Sequence, residues 1–288
     1  MRRSVTALAT LALLVGCGEA NVAGPGGRET SSAANPYDGP MHLEPDYSDN
    51  ATVSERSGAA GRALECEGEP FSGGGGDYVD GGAESVQDSP EEALSNFLEK
   101  AAGRLPDDGY LVERDDGERV LLSYDVGDET KIALIAADGI PDHNDDTGWG
   151  IDSWSQCDPA ELPENVSAAL GYDVWEDASG EPVPVAEVRA ERGPEHCDWQ
   201  DITFLSLGPD DGDVATYLRD AKGQLARWTT TTYDGAAALP NDATATGFRK
   251  DGRELWLGTR PAAAYLLSVD HPSDVERWPA AKESLGCV

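Results

Sequence analysis

Histidine and carboxylate side chains are the first candidates for chemistry in this sequence. The four histidines, at positions 42, 143, 196 and 271, lie far apart along the chain. Neither a G-x-S-x-G nucleophile motif nor an H-E-x-x-H zinc motif is present, so the sequence does not predict a histidine-dependent hydrolase or a zinc enzyme. The 55 acidic residues supply many carboxylate pairs, which leaves a hydrolase that uses two carboxylates as an alternative function. No catalytic residue is predicted.

One acidic segment has a spacing similar to that of a calcium-binding loop. Asp142, Asn144 and Asp146 place oxygen ligands at alternate positions, as in an EF-hand loop. The glycine of the segment comes one position late, and Ser153 stands where such a loop needs a bidentate glutamate. An acidic, solvated turn before a strand is therefore the favoured interpretation. Calcium is an alternative, and no other cofactor is predicted.

The N-terminus has the layout of an exported lipoprotein. Arg2 and Arg3 precede the apolar stretch Val5–Val15, which is too short to cross a bilayer because a spanning helix needs about 20 residues. The stretch is typical of a signal peptide and ends in the sequence LVGC, which resembles a bacterial lipobox. We therefore predict a signal peptide over residues 1–16, with Cys17 as the residue that carries the lipid. The mature protein is then anchored on the extracytoplasmic face of the cell membrane.

The other four cysteines predict disulfides. Cys66, Cys157, Cys197 and Cys287 are an even number in an exported chain. Zinc sites use closely paired cysteines such as C-x₂-C, a spacing that is absent here. Three connectivities are possible for two bonds. The pairs Cys66–Cys157 and Cys197–Cys287 are favoured because each bond then closes a separate half of the chain.

Tryptophan residues are candidates for a binding surface. The chain has seven, and exposed tryptophans can stack on sugars or line a partner groove. Trp154 and Trp199 lie close in sequence to cysteines of the predicted disulfides, where core packing is the usual role. Trp175 lies in a loop-like segment next to acidic residues, and it is the candidate for an exposed binding tryptophan.

The charge of the chain excludes one class of partner. With 55 acidic and 21 basic residues the net charge is −34. Such a chain repels a phosphate backbone, so general electrostatic binding to nucleic acid is excluded.

The elements that must position these residues begin after a long polar segment. Residues 17–62 carry the predicted lipidated cysteine and a disordered acidic tether, because glycine, serine, alanine, proline and acids dominate without apolar periodicity. The SGGGG run at 72–76 lacks the GK[ST] ending of a phosphate loop and is predicted to be a flexible connector. Ser89 is the predicted N-cap of a helix that begins at Pro90, and apolar residues recur at helical spacing as far as Leu105.

Short β segments separated by glycine and aspartate turns make up the rest of the chain. In the first half we predict strands at 110–114, 119–126, 131–137 and 148–157. In the second half we predict strands at 202–207, 214–219, 224–232, 247–250, 254–257 and 263–269. The predicted fold class is α+β: an N-terminal helix on an antiparallel β-meander over residues 63–160, then a mostly-β antiparallel sheet or small sandwich over residues 161–288, with two disulfides.

Three sequence strings carry a resemblance to known proteins. They are GW…WSQCDPAE at 148–161, GPEHCDWQ at 193–200 and RWP at 277–279. These strings resemble recurrent patterns in exported lipoproteins of high-GC actinobacteria, and the excess of arginine over lysine is typical of such genomes. The resemblance covers residues 85–288 and implies export and lipidation. It implies no activity and no catalytic residue.

The sequence as a whole predicts a lipid-anchored extracytoplasmic protein that acts as a non-catalytic binding or cell-envelope interaction module. Its expected partners are the membrane, through the lipid on Cys17, and an envelope protein or ligand that the sequence does not identify. A secreted hydrolase that uses carboxylates and a calcium-dependent surface protein are the alternatives.

Overall fold

A computed structural model describes residues 37–76, 86–101, 104–144, 146–208 and 214–286. The predicted signal peptide, Cys17, the first part of the predicted tether and Cys287 lie outside these residues. No helix in the described ranges is both long and apolar enough to cross a membrane.

The first half of the chain forms a five-stranded antiparallel sheet. Its strands are β1 (Ser72–Gly75), β2 (Leu111–Asp115), β3 (Arg119–Val126), β4 (Glu129–Pro141) and β5 (Thr147–Gln156). They pair in the order β1-β5-β4-β3-β2. The four strands predicted for this half are confirmed within a few residues, and β3 has the predicted bounds.

Strand β4 lies at the centre of this sheet and is buried on both faces. Ile132 and Leu134 belong to a hydrophobic cluster on one face, whereas Ala133 and Ile135 belong to a separate cluster on the other. Since successive side chains of a strand point to opposite faces, this pattern requires a cover on each side of the sheet. The covers are a helix on the first face and the N-terminal segment on the second.

The cover on the first face is the helix that the sequence predicts, α3 (Pro90–Ala101). The backbone N–H of Glu92 donates to Oγ of Ser89 at 3.2 Å, so the serine caps the helix as expected. Ala93 and Leu98 of α3 are buried against the sheet. The helix is described to Ala101, and Arg104 and Leu105 lie outside it, so it is shorter than predicted.

The second face is covered by residues that the sequence assigned to the tether. Two short helices, α1 (Val53–Arg56) and α2 (Gly58–Ala63), lie here, and a capping box between Thr52 and Glu55 caps the start of α1. Ala59 and Ala60 are fully buried against β4. The prediction of a disordered tether up to residue 62 is therefore wrong for its described part, residues 37–62. Small alanine side chains allow this segment to approach the sheet closely, and the same alanines made its composition resemble disorder.

The predicted flexible connector is also wrong, because the glycine run forms the edge strand β1. This strand pairs with β5 in register from Ser72 opposite Gln156 to Gly75 opposite Ser153. A Cβ at Gly73 would lie 2.6 Å from the Ser155 hydroxyl, so a side chain does not fit there. The glycine allows the close approach of the two strands.

The second half of the chain forms two further antiparallel sheets. The first contains three strands in the order β10-β9-β8, namely β8 (Val188–Arg192), β9 (Thr203–Leu207) and β10 (Ala215–Arg219). The second contains six strands in the order β14-β13-β12-β11-β6-β7, namely β6 (Trp175–Glu176), β7 (Pro182–Val183), β11 (Thr244–Lys250), β12 (Arg253–Thr259), β13 (Ala262–Ser268) and β14 (Val275–Pro279). Leu205 of the smaller sheet and Leu255 of the larger one belong to the same buried cluster. The fold is thus α+β and rich in antiparallel sheets, as the sequence predicted.

One predicted strand of this half is wrong, and several strands were missed. Residues 224–232 contain a 3₁₀ turn, Ala226–Trp228, instead of a strand. The turn follows from local hydrogen bonds: the Leu225 N–H donates to Asp220, and the Thr229 hydroxyl lies within hydrogen-bond distance of the Ala226 carbonyl. Strands β6, β7, β8 and β14 were not predicted.

Two polar arrangements hold the first sheet to its surroundings. Nζ of Lys131 donates to the Glu65 carbonyl oxygen at 2.7 Å and to Oε2 of Glu161 at 2.9 Å. Glu161 ends a 3₁₀ turn, Pro159–Glu161, that precedes α4 (Glu164–Ala169). The carboxylate of Asp158, which caps this turn, also accepts the N–H groups of Val185 and Ala186. Asp158 therefore joins the first sheet to the second half of the chain.

Candidate ligand-binding cleft

The predicted disulfides are present in part. Cys66 and Cys157 are bonded to each other, which confirms that pair. Cys197 is also disulfide-bonded, but Cys287 lies outside the described residues, so their pairing stays a prediction. Within the described ranges, the one group of cysteine, histidine and acidic ligand atoms close enough for a metal ion is Cys66, Cys157 and Glu161. Both sulfur atoms belong to the disulfide, and the Glu161 carboxylate forms a salt bridge with Lys131, so this group is structural.

The acidic segment that resembles a calcium loop forms a turn between β4 and β5. Oδ1 of Asp142 accepts the backbone N–H of Asn144 at 2.7 Å and that of Asp146 at 3.0 Å. These two hydrogen bonds hold the pKa of Asp142 below its usual range, and the bond from the Asn144 N–H has the larger effect. The turn is closed by its own side chain, as the favoured interpretation of a solvated acidic turn requires. Calcium binding here stays a prediction.

The expectation that Trp175 is exposed is wrong. Its side chain is 2% exposed and belongs to the core cluster that also contains Leu205, Leu255 and Trp278. The acidic neighbours in sequence misled the prediction. Trp175 lies in the short strand β6, and a strand places alternate side chains on opposite faces. Glu176 is therefore exposed while Trp175 packs inward.

The clearest candidate site is a cleft between the N-terminal segment and the first sheet, which we call the acidic cleft. Its volume is about 490 Å³, which lies within the range of about 300–1,000 Å³ that is typical of small-molecule sites. Six of its nine described lining residues carry an ionisable side chain. The lining comprises His42, Glu44, Glu118, Arg119, Ala137, Asp138, Gly139, Ile140 and Asp152.

A β-bulge places the central carboxylate of the acidic cleft. Ile135 of β4 pairs with Ser153 of β5, but the next residue, Ala136, pairs with Ile151. Asp152 is therefore the extra residue of the bulge. Bulges locally change the direction of side chains and are common next to functional sites. Here the Asp152 side chain points across the sheet towards Arg119 at the start of β3.

Arg119 connects three parts of the acidic cleft. Its Nη1 donates to Oδ2 of Asp152 at 3.0 Å and to the Met41 carbonyl oxygen at 3.2 Å, and its Nη2 donates to Oε1 of Glu44 at 3.3 Å. The side chains of Arg119 and Asp152 are largely buried, whereas that of Glu44 is 74% exposed. One guanidinium thus joins the sheet to the N-terminal segment that forms the opposite wall.

The electrostatic balance of the acidic cleft is negative. Among the described residues, four carboxylates and one guanidinium line it, and the His42 ring in the same lining is hydrogen-bonded to Asp116 at 3.0 Å. Burial raises the pKa of Asp152, the Glu44 carboxylate raises it further, and Arg119 opposes both effects without cancelling them. Asp152 is therefore a buried carboxylate whose charge is incompletely compensated. A positively charged group that enters the cleft would compensate it.

The sequence did not predict this site. His42 and Glu44 lie in a segment taken to be disordered, and Arg119 and Asp152 lie in separate predicted strands. The bulge that orients Asp152 depends on strand register, which sequence alternation does not reveal. Arg119 is the one usable signal, because it interrupts an otherwise acidic segment just before an apolar strand.

Comparisons of this chain with protein-family models, with curated proteins and with solved structures found no match.

Proposed function

We propose that this protein is a lipid-anchored extracytoplasmic binding module, and that its acidic cleft binds an extended organic cation such as a polyamine or a basic peptide segment. The observation that carries the ligand class is the buried Asp152 carboxylate, whose charge Arg119 compensates incompletely. The anchor is supported by the lipobox-like sequence that ends at Cys17 and by the disulfides, which are typical of exported proteins.

An extended cation fits the acidic cleft better than a metal ion does. A metal site requires several ligand atoms around one point, and no such group of carboxylate or imidazole atoms occurs among the described cleft residues. The four carboxylates of the cleft do not converge on one point, and the volume of the cleft admits a small organic molecule. A ligand with several separated positive charges matches that arrangement.

Calorimetric titration with spermidine at constant ionic strength tests the cleft. We expect Asp152→Asn to weaken binding at least tenfold, whereas Asp177→Asn, which removes an exposed carboxylate outside the cleft, leaves affinity within twofold. Equal losses in both variants would show that spermidine responds only to the overall negative charge of the chain, which contradicts the proposal.

The pH dependence gives a second test of the same site. A cation binds the ionised form of Asp152, and the pKa of this carboxyl is raised. Spermidine affinity should therefore fall as pH decreases through a range above the pKa of an ordinary aspartate. The Asp152→Asn variant should lose this pH dependence. A wild-type profile that follows ordinary carboxylates alone would contradict the assignment.

The anchor is tested separately by fractionation of cells that express the full chain. We expect Cys17→Ala to move the protein out of the membrane fraction, because the substitution removes the lipid attachment site. Protein that stays bound to membranes after this substitution would contradict the lipoprotein assignment.

A hydrolase that uses carboxylates is a second candidate, because the buried Asp152 with its raised pKa lies in a cleft with other carboxylates. The Arg119 guanidinium at 3.0 Å weakens this candidate, since it stabilises the charged form of Asp152 and opposes proton donation. Hydrolysis of a nitrophenyl glycoside by the wild type, lost in Asp152→Asn, would support the enzyme over the binding module.

A further inference from the structure

A second pocket lies in the other half of the chain, beside the end of β10, and we call it the Asp220 pocket. Its volume is about 190 Å³. Whole small-molecule ligands usually occupy about 300 Å³ or more, so this pocket has room for an end group of a molecule. Its lining comprises Asp220, Ala221, Lys222, Gly223, Ala226, Thr229, Thr232, Tyr233 and Pro279.

Asp220 is the unusual group of this pocket. The residue is 5% exposed, and its Oδ2 accepts the Leu225 N–H at 2.7 Å. Its Oδ1 is buried and has no hydrogen-bond donor among the described residues. A buried carboxylate oxygen without a donor is unfavourable. Because Asp220 lines the pocket, a molecule bound there can supply the missing donor.

Two hydroxyl groups of the pocket lining are committed to other partners. The Thr229 hydroxyl has a single proton and lies within hydrogen-bond distance of two carbonyl oxygens, those of Ala226 and Thr231. The Tyr233 hydroxyl donates to Glu276.

The cation in the pocket lining, Lys222, is also engaged elsewhere. Its ammonium group is paired with Asp201, and both of these side chains are 64% exposed. The charged lysine head is thus held at the surface, and the buried oxygen of Asp220 keeps its capacity to accept a hydrogen bond.

We propose that the Asp220 pocket binds the terminal ammonium group of a small amine, which donates a hydrogen bond to Oδ1 of Asp220. An ammonium group supplies both the missing donor and the compensating charge. A divalent metal ion is disfavoured, because the described residues provide one carboxylate here and no cluster of ligand atoms. The hydroxyls in the lining can accept further hydrogen bonds from the same ammonium group.

Thermal unfolding of the full chain with ethylammonium chloride tests the proposal, with sodium chloride at equal ionic strength as the reference. A ligand that binds only the folded state raises the melting temperature by mass action. We expect ethylammonium to raise the melting temperature of the wild type above its value in sodium chloride.

Ligand-observed NMR then gives the ethylammonium affinity. Asp220→Asn should weaken it at least tenfold, while its side-chain oxygen still accepts the Leu225 N–H.

Two further variants keep the test decisive. Asp177→Asn removes a carboxylate outside the pocket and should leave the ethylammonium affinity unchanged. Ala221→Leu narrows the pocket at an exposed position, keeps Asp220, and should also abolish binding, so the proposal does not depend on the folding of one variant. Equal responses to ethylammonium and sodium, or undiminished binding in Asp220→Asn, would overturn the proposal and indicate ordered water as the occupant. Asp152→Asn should not affect this binding, which separates it from the acidic cleft.

Discussion

Replacement of Asp158 tests how the first sheet is held to the second half of the chain. This side chain is 6% exposed and accepts three backbone N–H groups, from Ala160 at 2.9 Å, Val185 at 2.8 Å and Ala186 at 3.0 Å. Asp158→Ala removes the cap of the 3₁₀ turn and leaves two donors of the second half without an acceptor. A lost cap costs about 1 kcal/mol and the unsatisfied buried N–H of Val185 about 1–3 kcal/mol, so we expect a loss of about 2–4 kcal/mol. Ala186 is exposed, so water can satisfy its N–H.

Equilibrium unfolding in urea measures this loss, and two further variants separate its parts. Asp158→Ser retains a capping hydroxyl for Ala160 but does not reach the second half, so it should retain most of the destabilisation. Asp177→Ala is the matched control, because its carboxylate also accepts backbone N–H groups, from Ser179 and Glu181, in an exposed turn. It should destabilise much less. A loss below about 1 kcal/mol in Asp158→Ala, or a Ser variant as stable as the wild type, would refute the reasoning.

Three other substitutions test the first sheet by urea unfolding. Lys131→Met removes the donor to the largely buried Glu161 carboxylate and to the Glu65 carbonyl oxygen, so we expect a loss of about 3 kcal/mol. A variant as stable as the wild type would contradict the buried ion pair. Replacement of Cys66 and Cys157 together by alanine opens a loop with a separation of 91 residues, so a loss of about 4.6 kcal/mol follows from chain entropy, and a loss below about 1 kcal/mol would contradict it. Gly76→Ala should destabilise because its Cβ would overlap a backbone carbonyl of β5, whereas Gly74→Ala, with open space around it, should not. Equal effects of the two glycine substitutions would argue against the packed edge strand.

The sequence predicted the strands of the first sheet because their pattern is local. Arg119–Val126 is apolar, rich in β-formers and bounded by tight turns, and the structure has a strand with those bounds. The N-terminal segment was missed for a different reason. Ala59 and Ala60 are buried because they cover the second, apolar face of the sheet, which α3 does not cover. The composition of the segment itself gives no sign of this contact.

The acidic cleft could not be predicted because it depends on contacts between distant residues. Arg119 and Asp152 are 33 positions apart, and they meet because β3 and β5 flank the same strand and a bulge redirects the aspartate. Trp175 shows the converse error. Its acidic neighbours suggested exposure, but its burial follows from a two-residue strand within a six-stranded sheet.

The position of the acidic cleft in the chain connects the two parts of the proposed function. His42 and Glu44, which line the cleft, belong to the segment that leads back towards Cys17. The 20 positions between Cys17 and residue 37 span at most about 70 Å even when fully extended. If Cys17 carries a lipid, the cleft is confined to that distance from the membrane surface. Anionic headgroups concentrate cations only within about a Debye length of the surface, about 8 Å at physiological ionic strength. An anchored cleft would therefore draw its cationic ligand from the enriched layer only where it lies within that shorter distance of the membrane.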